Sequence, residues 1–88
     1  MEYDDLRDPV VIVWIDHVSY TKSLWRSFDE MKELRPMEVK SVGYILSETP
    51  EYIILASHVT DSNTGMGELL IIKANITEMK VLVPKFSG

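Results

Sequence analysis

The spacing of apolar residues changes along the chain, and the changes predict a protein built mainly from β-strands. The run Pro9–Ile15 consists largely of β-branched and aromatic residues, which is typical of a buried strand. From residue 37 onward the apolar runs again have the length and composition of strands, separated by short polar connections. The four later strands are predicted at residues 38–47, 51–59, 68–73 and 76–83.

One segment between the first two predicted strands has helical spacing instead. Apolar residues recur there at intervals of three and four over residues 24–34. Ser27 and Glu30 have the S-x-x-E spacing of a capping box, and Pro36 is expected to end the helix because proline restricts the residue before it. The sequence therefore predicts one short helix at residues 27–34, directly after the first strand.

Five short strands and one helix predict a small, strongly bent antiparallel barrel, because a sheet of this size hides its edges by curling. The whole chain, residues 1–88, is expected to form one domain with an ordered core at about 9–83. Closing five strands requires sharp bends, and glycine in a long strand is one way to make them. Gly43 lies in the middle of the predicted second strand and is expected to be such a bend. A valine there is expected to cost about 1–3 kcal/mol if the backbone is strained or φ is positive.

Composition and charge narrow the classes of function. A domain of 88 residues buries only about 60–65% of its unfolded surface, and the chain has no cysteine to add disulfides. Self-association is the most available extra source of stability. The net charge of −5 disfavours non-specific nucleic-acid binding, which depends on neutralising phosphates. The acidic N-terminus and the lack of an 18-residue apolar run predict a cytoplasmic protein without a membrane partner.

Residues that could carry chemistry do not form a recognisable site. His17 and His58 are the only histidines, whereas a metal site needs three or four converging ligands. No serine lies in a nucleophile motif, and the glycines in TGMGE, residues 64–68, are typical of a turn. The sequence therefore predicts no catalytic residue, no metal, no cofactor and no enzyme activity.

The aromatic residues divide into two groups. Trp14 lies within an apolar strand and Trp25 flanks the helical stripe, so both are predicted to be core residues. Tyr44 and Tyr52 flank the predicted hairpin and are more open to a surface role, such as stacking on bases. The apolar stripe of the helix is expected either to cap an open end of the barrel or to dock on another subunit, and the sequence leaves both options open.

Several elements of the sequence resemble a group of small uncharacterised bacteriophage proteins. The resemblance covers residues 10–82 and includes the strand YIILAS and the closing I-x-K segment. It implies a phage origin and no particular chemistry. The single residues and short motif that carry it are Trp14, Asp16, Ser19, Trp25 and SVGY at residues 41–44.

The chain also resembles, at the level of the fold, the Sm-like proteins that include the bacterial Hfq proteins. VGYILSETPEYIIL, residues 42–55, has the bending glycine and alternating apolar residues of the first Sm motif. Thr49 and Ile53 stand where that motif carries its RNA-contacting Asp and Asn, so those contacts do not transfer. The helix also lies after the first strand here, whereas Sm-like proteins place it before. The resemblance implies a bent five-stranded sheet that assembles into rings.

The leading hypothesis is a phage accessory binding module that assembles with itself in the host cytoplasm. Sm-like rings pair the fourth strand of one subunit with the fifth strand of the next. The residues predicted at these edges are Leu69, Ile71, Met79 and Val81.

Two other hypotheses concern nucleic acids. In the first, the protein binds single-stranded RNA, as Sm-like proteins do, through Tyr52, Lys73 and Asn75. In the second, its acidic surface imitates DNA and inhibits a host enzyme that acts on nucleic acid. The predicted partners are thus the chain itself, with RNA or a host protein as further options.

Overall fold

A computed structural model describes residues 2–17 and 25–83 of the chain. Within these residues the fold is mainly β, as the sequence predicts, with short 3-10 helices at Tyr3–Asp5 and Lys73–Asn75. The remaining elements are β1 (Val10–Asp16), α1 (Phe28–Met31), β2 (Met37–Glu48), β3 (Tyr52–Ala56), β4 (His58–Val59), β5 (Gly65–Met66), β6 (Leu69–Ile72) and β7 (Ile76–Val81).

The five longer strands form one antiparallel sheet in the order β6-β3-β2-β1-β7. The prediction of a five-stranded antiparallel sheet with one helix after the first strand is confirmed. The predicted strand at 51–59 is divided in two at Ser57. Its second part, β4, pairs with β5 in a small separate hairpin that the sequence pattern does not predict.

Strand β2 changes its partner at Gly43, where the bend was predicted. Gly43 is the last β2 residue paired with β1, opposite Val10, and Tyr44 is the first paired with β3, opposite Ala56. A Cβ atom at residue 43 would lie 2.7 Å from the carbonyl oxygen of Ala56, closer than real side chains approach. The backbone φ of Gly43 is not positive, so the glycine is required by this close approach and not by an unusual dihedral angle.

The core lies between the two halves of the bent sheet. Val10 and Ile12 of β1 meet Ile53 and Leu55 of β3 and Ile71 of β6, and all five are buried. Partly buried residues extend this cluster at its margin, where the two halves diverge. These residues are Trp14, Ile45 and Ile76.

The sequence predicts a closed barrel, but the sheet in the structure is open. Among the described residues, β6 and β7 each pair with one neighbour only, β3 and β1 respectively, and they do not pair with each other. The short 3-10 helix Lys73–Asn75 carries the chain from one edge of the sheet to the other. This connection therefore turns a corner between the two edges and does not form a hairpin.

Helix α1 is shorter than predicted and does not pack on the core. The predicted cap is present, since the amide of Glu30 donates to Ser27 Oγ at 3.2 Å, but the helix ends at Met31. Leu24, the first residue of the predicted spacing, lies outside the described residues, as does the C-terminal tail after residue 83. Short helices are marginal without a packed face, and the side chain of Phe28 remains 80% exposed.

The two tryptophans differ in their surroundings. Trp14 is half-buried against the core cluster, and its Nε1–H donates to Ser41 Oγ at 3.0 Å, in agreement with the predicted core position. Trp25 is fully exposed, so its prediction as a core residue is wrong. Helical spacing predicts that the side chains near Trp25 are apolar, but it does not predict whether other residues cover them.

Candidate functional site

The five-stranded sheet has two open edge strands among the described residues, and both carry apolar side chains. Strand β6 forms one edge of the five-stranded sheet, and β7 forms the other. An open edge presents unpaired backbone N–H and C=O groups that can bind another strand. These edges are therefore the first candidate for a functional surface.

Hydrogen bonds at the end of β6 show which of its backbone groups point outward. The amide of Lys73 donates to the carbonyl oxygen of Glu51 at 2.8 Å, just beyond the last ladder pair of β6 and β3. In an antiparallel ladder, bonded and non-bonded positions alternate. The amides of Ile71 and Leu69 therefore point toward β3, whereas those of Leu70 and Ile72 point to the open edge.

The same reasoning applies to β7 at the opposite edge. The amide of Leu82 donates to the carbonyl oxygen of Pro9 at 2.8 Å, in register with the ladder between β7 and β1. By alternation, the amide of Lys80 points toward β1. The amides of Met79 and Val81 point away from the sheet. Each edge thus offers two residues, spaced two apart, whose backbone groups are directed outward.

The predicted edge residues lie on the core side of the sheet but differ in burial. Leu69 pairs with Leu55, and Met79 and Val81 pair with Ile12 and Val10, so all three side chains share the face of buried partners. Their exposed fractions are nevertheless 37% for Leu69, 47% for Met79 and 61% for Val81. These three side chains lie along the two edge strands, β6 and β7, which do not pair with each other.

Ile71, the fourth predicted edge residue, is a core residue. Its side chain is 1% exposed and belongs to the buried cluster. The sequence could not separate it from Leu69, because both occupy the same face of β6 at a spacing of two. Leu70 and Ile72, whose backbone groups point outward, were not singled out by sequence reasoning. Neighbouring residues of a strand alternate between its two sides, so Leu70 and Ile72 could be recognised only after Ile71 was known to be buried.

Charged residues protect the two edges unequally. Strand β6 contains four aliphatic residues and no charge, which is unusual for an open edge and is offset only by its shortness. Strand β7 carries Glu78 and Lys80, but their side chains form an ion pair with each other at 3.2 Å. The edge of β7 therefore presents little net charge to an approaching strand.

The predicted RNA-binding residues lie at one end of the sheet, but the positive charge among them is already in an ion pair. Tyr52 begins β3 opposite Ile72, and Lys73 and Asn75 belong to the 3-10 helix that follows directly. The ammonium of Lys73 is 2.6 Å from a carboxylate oxygen of Glu48, so a phosphate would have to compete with this carboxylate. RNA binding at this end stays a prediction.

A shallow cleft lies between the N-terminal segment and the β4–β5 hairpin. The amide of Tyr3 donates to Asn63 Oδ1 at 2.7 Å, and Asn63 has a φ of 62°, which places it in the left-handed region of the turn. The cleft has a volume of about 190 Å³, and Leu6 and Val59 contribute apolar walls. This volume is below the range of about 300–1,000 Å³ that is usual for small-molecule sites. An adjoining, more open depression beside Arg7, Asp8 and Tyr44 has a volume of about 330 Å³, at the lower end of that range.

Neither a metal cluster nor a membrane-spanning helix is found among residues 2–17 and 25–83. No three His, Asp or Glu side chains there lie close enough together to hold a metal ion. No helix in the same residues is long and apolar enough to cross a membrane.

Comparison with known proteins adds no family to this description. No protein-family model matches the chain, and searches of curated proteins and of solved structures give no significant match.

Proposed function

We propose that the protein is a small Sm-like binding module, an accessory protein of phage origin, that assembles with copies of itself by pairing β6 of one subunit with β7 of the next. The observation that carries this proposal is the pair of open edges, each with two outward-facing backbone positions. Pairing them across subunits would satisfy backbone groups that otherwise bind only water.

The side chains at the opening support the same arrangement. A neighbouring β7 placed on β6 would cover Leu69, and the apolar side chains Met79 and Val81 would gain apolar neighbours. Burial of apolar surface contributes about 25 cal/mol per Å². Covering these three partly exposed side chains would therefore favour association of the subunits. The short, uncharged β6 offers no electrostatic barrier to this contact.

Pairing of two different edges has a consequence for symmetry. Such an interface is heterologous, and it produces a closed ring when the rotation between subunits closes. Sm-like proteins form rings by pairing their fourth strand with the fifth strand of a neighbour. In this chain β6 and β7 are the fourth and fifth strands of the main sheet, and they lie at its two edges. The strand order therefore permits that mode of assembly.

Proline substitution at the edge of β7 tests the proposal. The amide of Val81 points outward, so Val81→Pro removes a donor needed by a neighbouring strand and leaves the β1 ladder intact. We expect the wild-type chain to show a mass of several subunits in size-exclusion chromatography with light scattering, and Val81→Pro to lose that assembly. Val81→Thr is the matched control, because it keeps the backbone amide and a branched side chain of similar size.

Circular dichroism and thermal melting would establish that Val81→Pro is folded. A wild-type chain that is strictly monomeric at high concentration contradicts the proposal. So does a folded Val81→Pro protein with an unchanged mass.

A further inference from the structure

The more open depression beside the N-terminal segment lies where β7 ends. It has a volume of about 330 Å³, and its lining includes the half-buried side chains of Leu6, Tyr44 and Val59 together with Pro9. The amide of Leu82, one residue beyond β7, donates to the carbonyl oxygen of Pro9 at 2.8 Å. The chain therefore leaves the sheet at the rim of this depression.

The sequence ends the strand ladder at this same point. Bonded amides alternate along β7, so after Lys80 and Leu82 the next amide to face the β1 side belongs to residue 84. That residue is Pro84, which has no backbone N–H to donate. The ladder therefore stops at Leu82, next to the depression.

The charges of the depression and of the residues after β7 are complementary. Residues 2–9 contain four acidic residues and one basic residue, and two of the acidic ones, Asp4 and Asp8, line the depression. Among the described residues, neither carboxylate has an ion pair or a hydrogen bond from a side chain. Residues 84–88, PKFSG, contain Lys85 and no acidic residue. An ammonium group there is attracted to the two unpaired carboxylates.

Size and reach also match. Phe86 follows Val83 by three residues, a distance that the backbone spans with at most about 10 Å, so its ring can reach a depression at whose rim the strand ends. The depression is large enough to hold one aromatic side chain. Its walls at Leu6 and Val59 are apolar, and covering them with an aromatic ring removes apolar surface of both partners from water.

We propose that the depression is a docking site for the chain's own residues 84–88, with the ring of Phe86 against Leu6 and Val59 and the ammonium of Lys85 beside the carboxylates of Asp4 and Asp8. This contact ties the residues after β7 to the segment before β1. It covers an apolar surface that the strand ladder leaves open. It is independent of pairing between β6 and β7 of different subunits.

Methyl NMR of the full chain tests the contact without altering it. Nuclear Overhauser cross-peaks are expected between the ring protons of Phe86 and the methyl groups of Leu6 and Val59. Phe86→Ala is expected to shift these methyl signals, and Ser87→Ala, at the next residue, is the matched control that leaves them in place. Lys85→Glu is expected to abolish the cross-peaks and Lys85→Arg to retain them. Absence of the cross-peaks in the wild-type chain would overturn the proposal.

Cysteine cross-linking supplies a second measurement, because the chain has no cysteine of its own. Leu6→Cys/Phe86→Cys is expected to form a disulfide within one chain when oxidised glutathione accepts the electrons of the two thiols, since the bond requires Cα atoms within about 7 Å. Leu70→Cys/Phe86→Cys, with its first cysteine on the edge strand β6, is the matched control and is expected to keep its thiols free. Mass spectrometry and non-reducing gels distinguish bonds within a chain from bonds between chains. Equal bonding in the two variants, or bonds only between chains, would contradict docking of residues 84–88 on their own chain.

Discussion

At the scale of single residues, Gly43 shows how one position fixes the course of the sheet. Strand β2 serves two partners, β1 before this residue and β3 after it, so both neighbouring strands come close to the same point. The missing side chain lets the carbonyl of Ala56 approach to where a Cβ would otherwise stand. The position of the bend is predictable from a glycine inside an apolar strand. Its cause is not, because it depends on a strand 13 residues further along the chain.

Gly43→Val is expected to lower the free energy of unfolding by about 1–3 kcal/mol. A Cβ 2.7 Å from a backbone oxygen forces β2 and β3 apart, and overpacking of this kind costs about that much. Urea denaturation followed by circular dichroism would measure the change. Val42→Ala is the control, because its side chain is exposed on the same strand. An unchanged midpoint for Gly43→Val would show that the strands can separate at no cost.

At the scale of elements, the sequence predicts where the strands lie better than it predicts which surfaces they pack against. Four of its five strand predictions correspond to single strands within one or two residues, because alternating or continuous apolar runs report burial directly. The predicted helix shrinks to Phe28–Met31, and among the described residues its apolar side packs on no buried surface. Likewise, apolar spacing predicts Ile71 to be an edge residue, although its side chain is buried. Burial of one residue in a short strand depends on which strands lie beneath it, which is not a local property.

Strand β6 therefore offers a comparison between a core residue and an edge residue on one face. Ile71→Ala is expected to lower the stability of the monomer by about 2–4 kcal/mol, because it leaves a cavity in the buried cluster. Leu69→Ala, at a residue that is 37% exposed, is expected to cost clearly less in the same assay. Both are best measured in the Val81→Pro background, where the proposed edge pairing is expected to be absent. Equal losses of stability would show that Leu69 is as much a core residue as Ile71.

At the scale of the whole molecule, the open sheet belongs to a chain of extended shape. The radius of gyration is 17.0 Å, whereas a compact domain of this length has about 12 Å. The proposed edge pairing is heterologous, so it would produce a closed ring if the rotation between subunits closes. The sequence predicts self-association from small size and the lack of cysteine. It also names edge residues on β6 and β7, but it does not reveal that Ile71 is buried or that Trp25 is exposed, because both depend on contacts between distant parts of the chain.

Stability that depends on assembly leads to a prediction for the melting temperature. When subunits bind only in the folded state, each tenfold increase in concentration adds up to about 1.4 kcal/mol per subunit. For a chain of this length, about 1 kcal/mol shifts the melting temperature by about 4–8 °C. We expect the wild-type melting temperature to rise by about 5–10 °C per tenfold increase in concentration. The Val81→Pro variant, which lacks a donor needed for edge pairing, is expected to melt at one temperature throughout. Differential scanning fluorimetry over a hundredfold range of concentration distinguishes the two, and a wild-type chain with a constant melting temperature would show that folding does not draw on assembly.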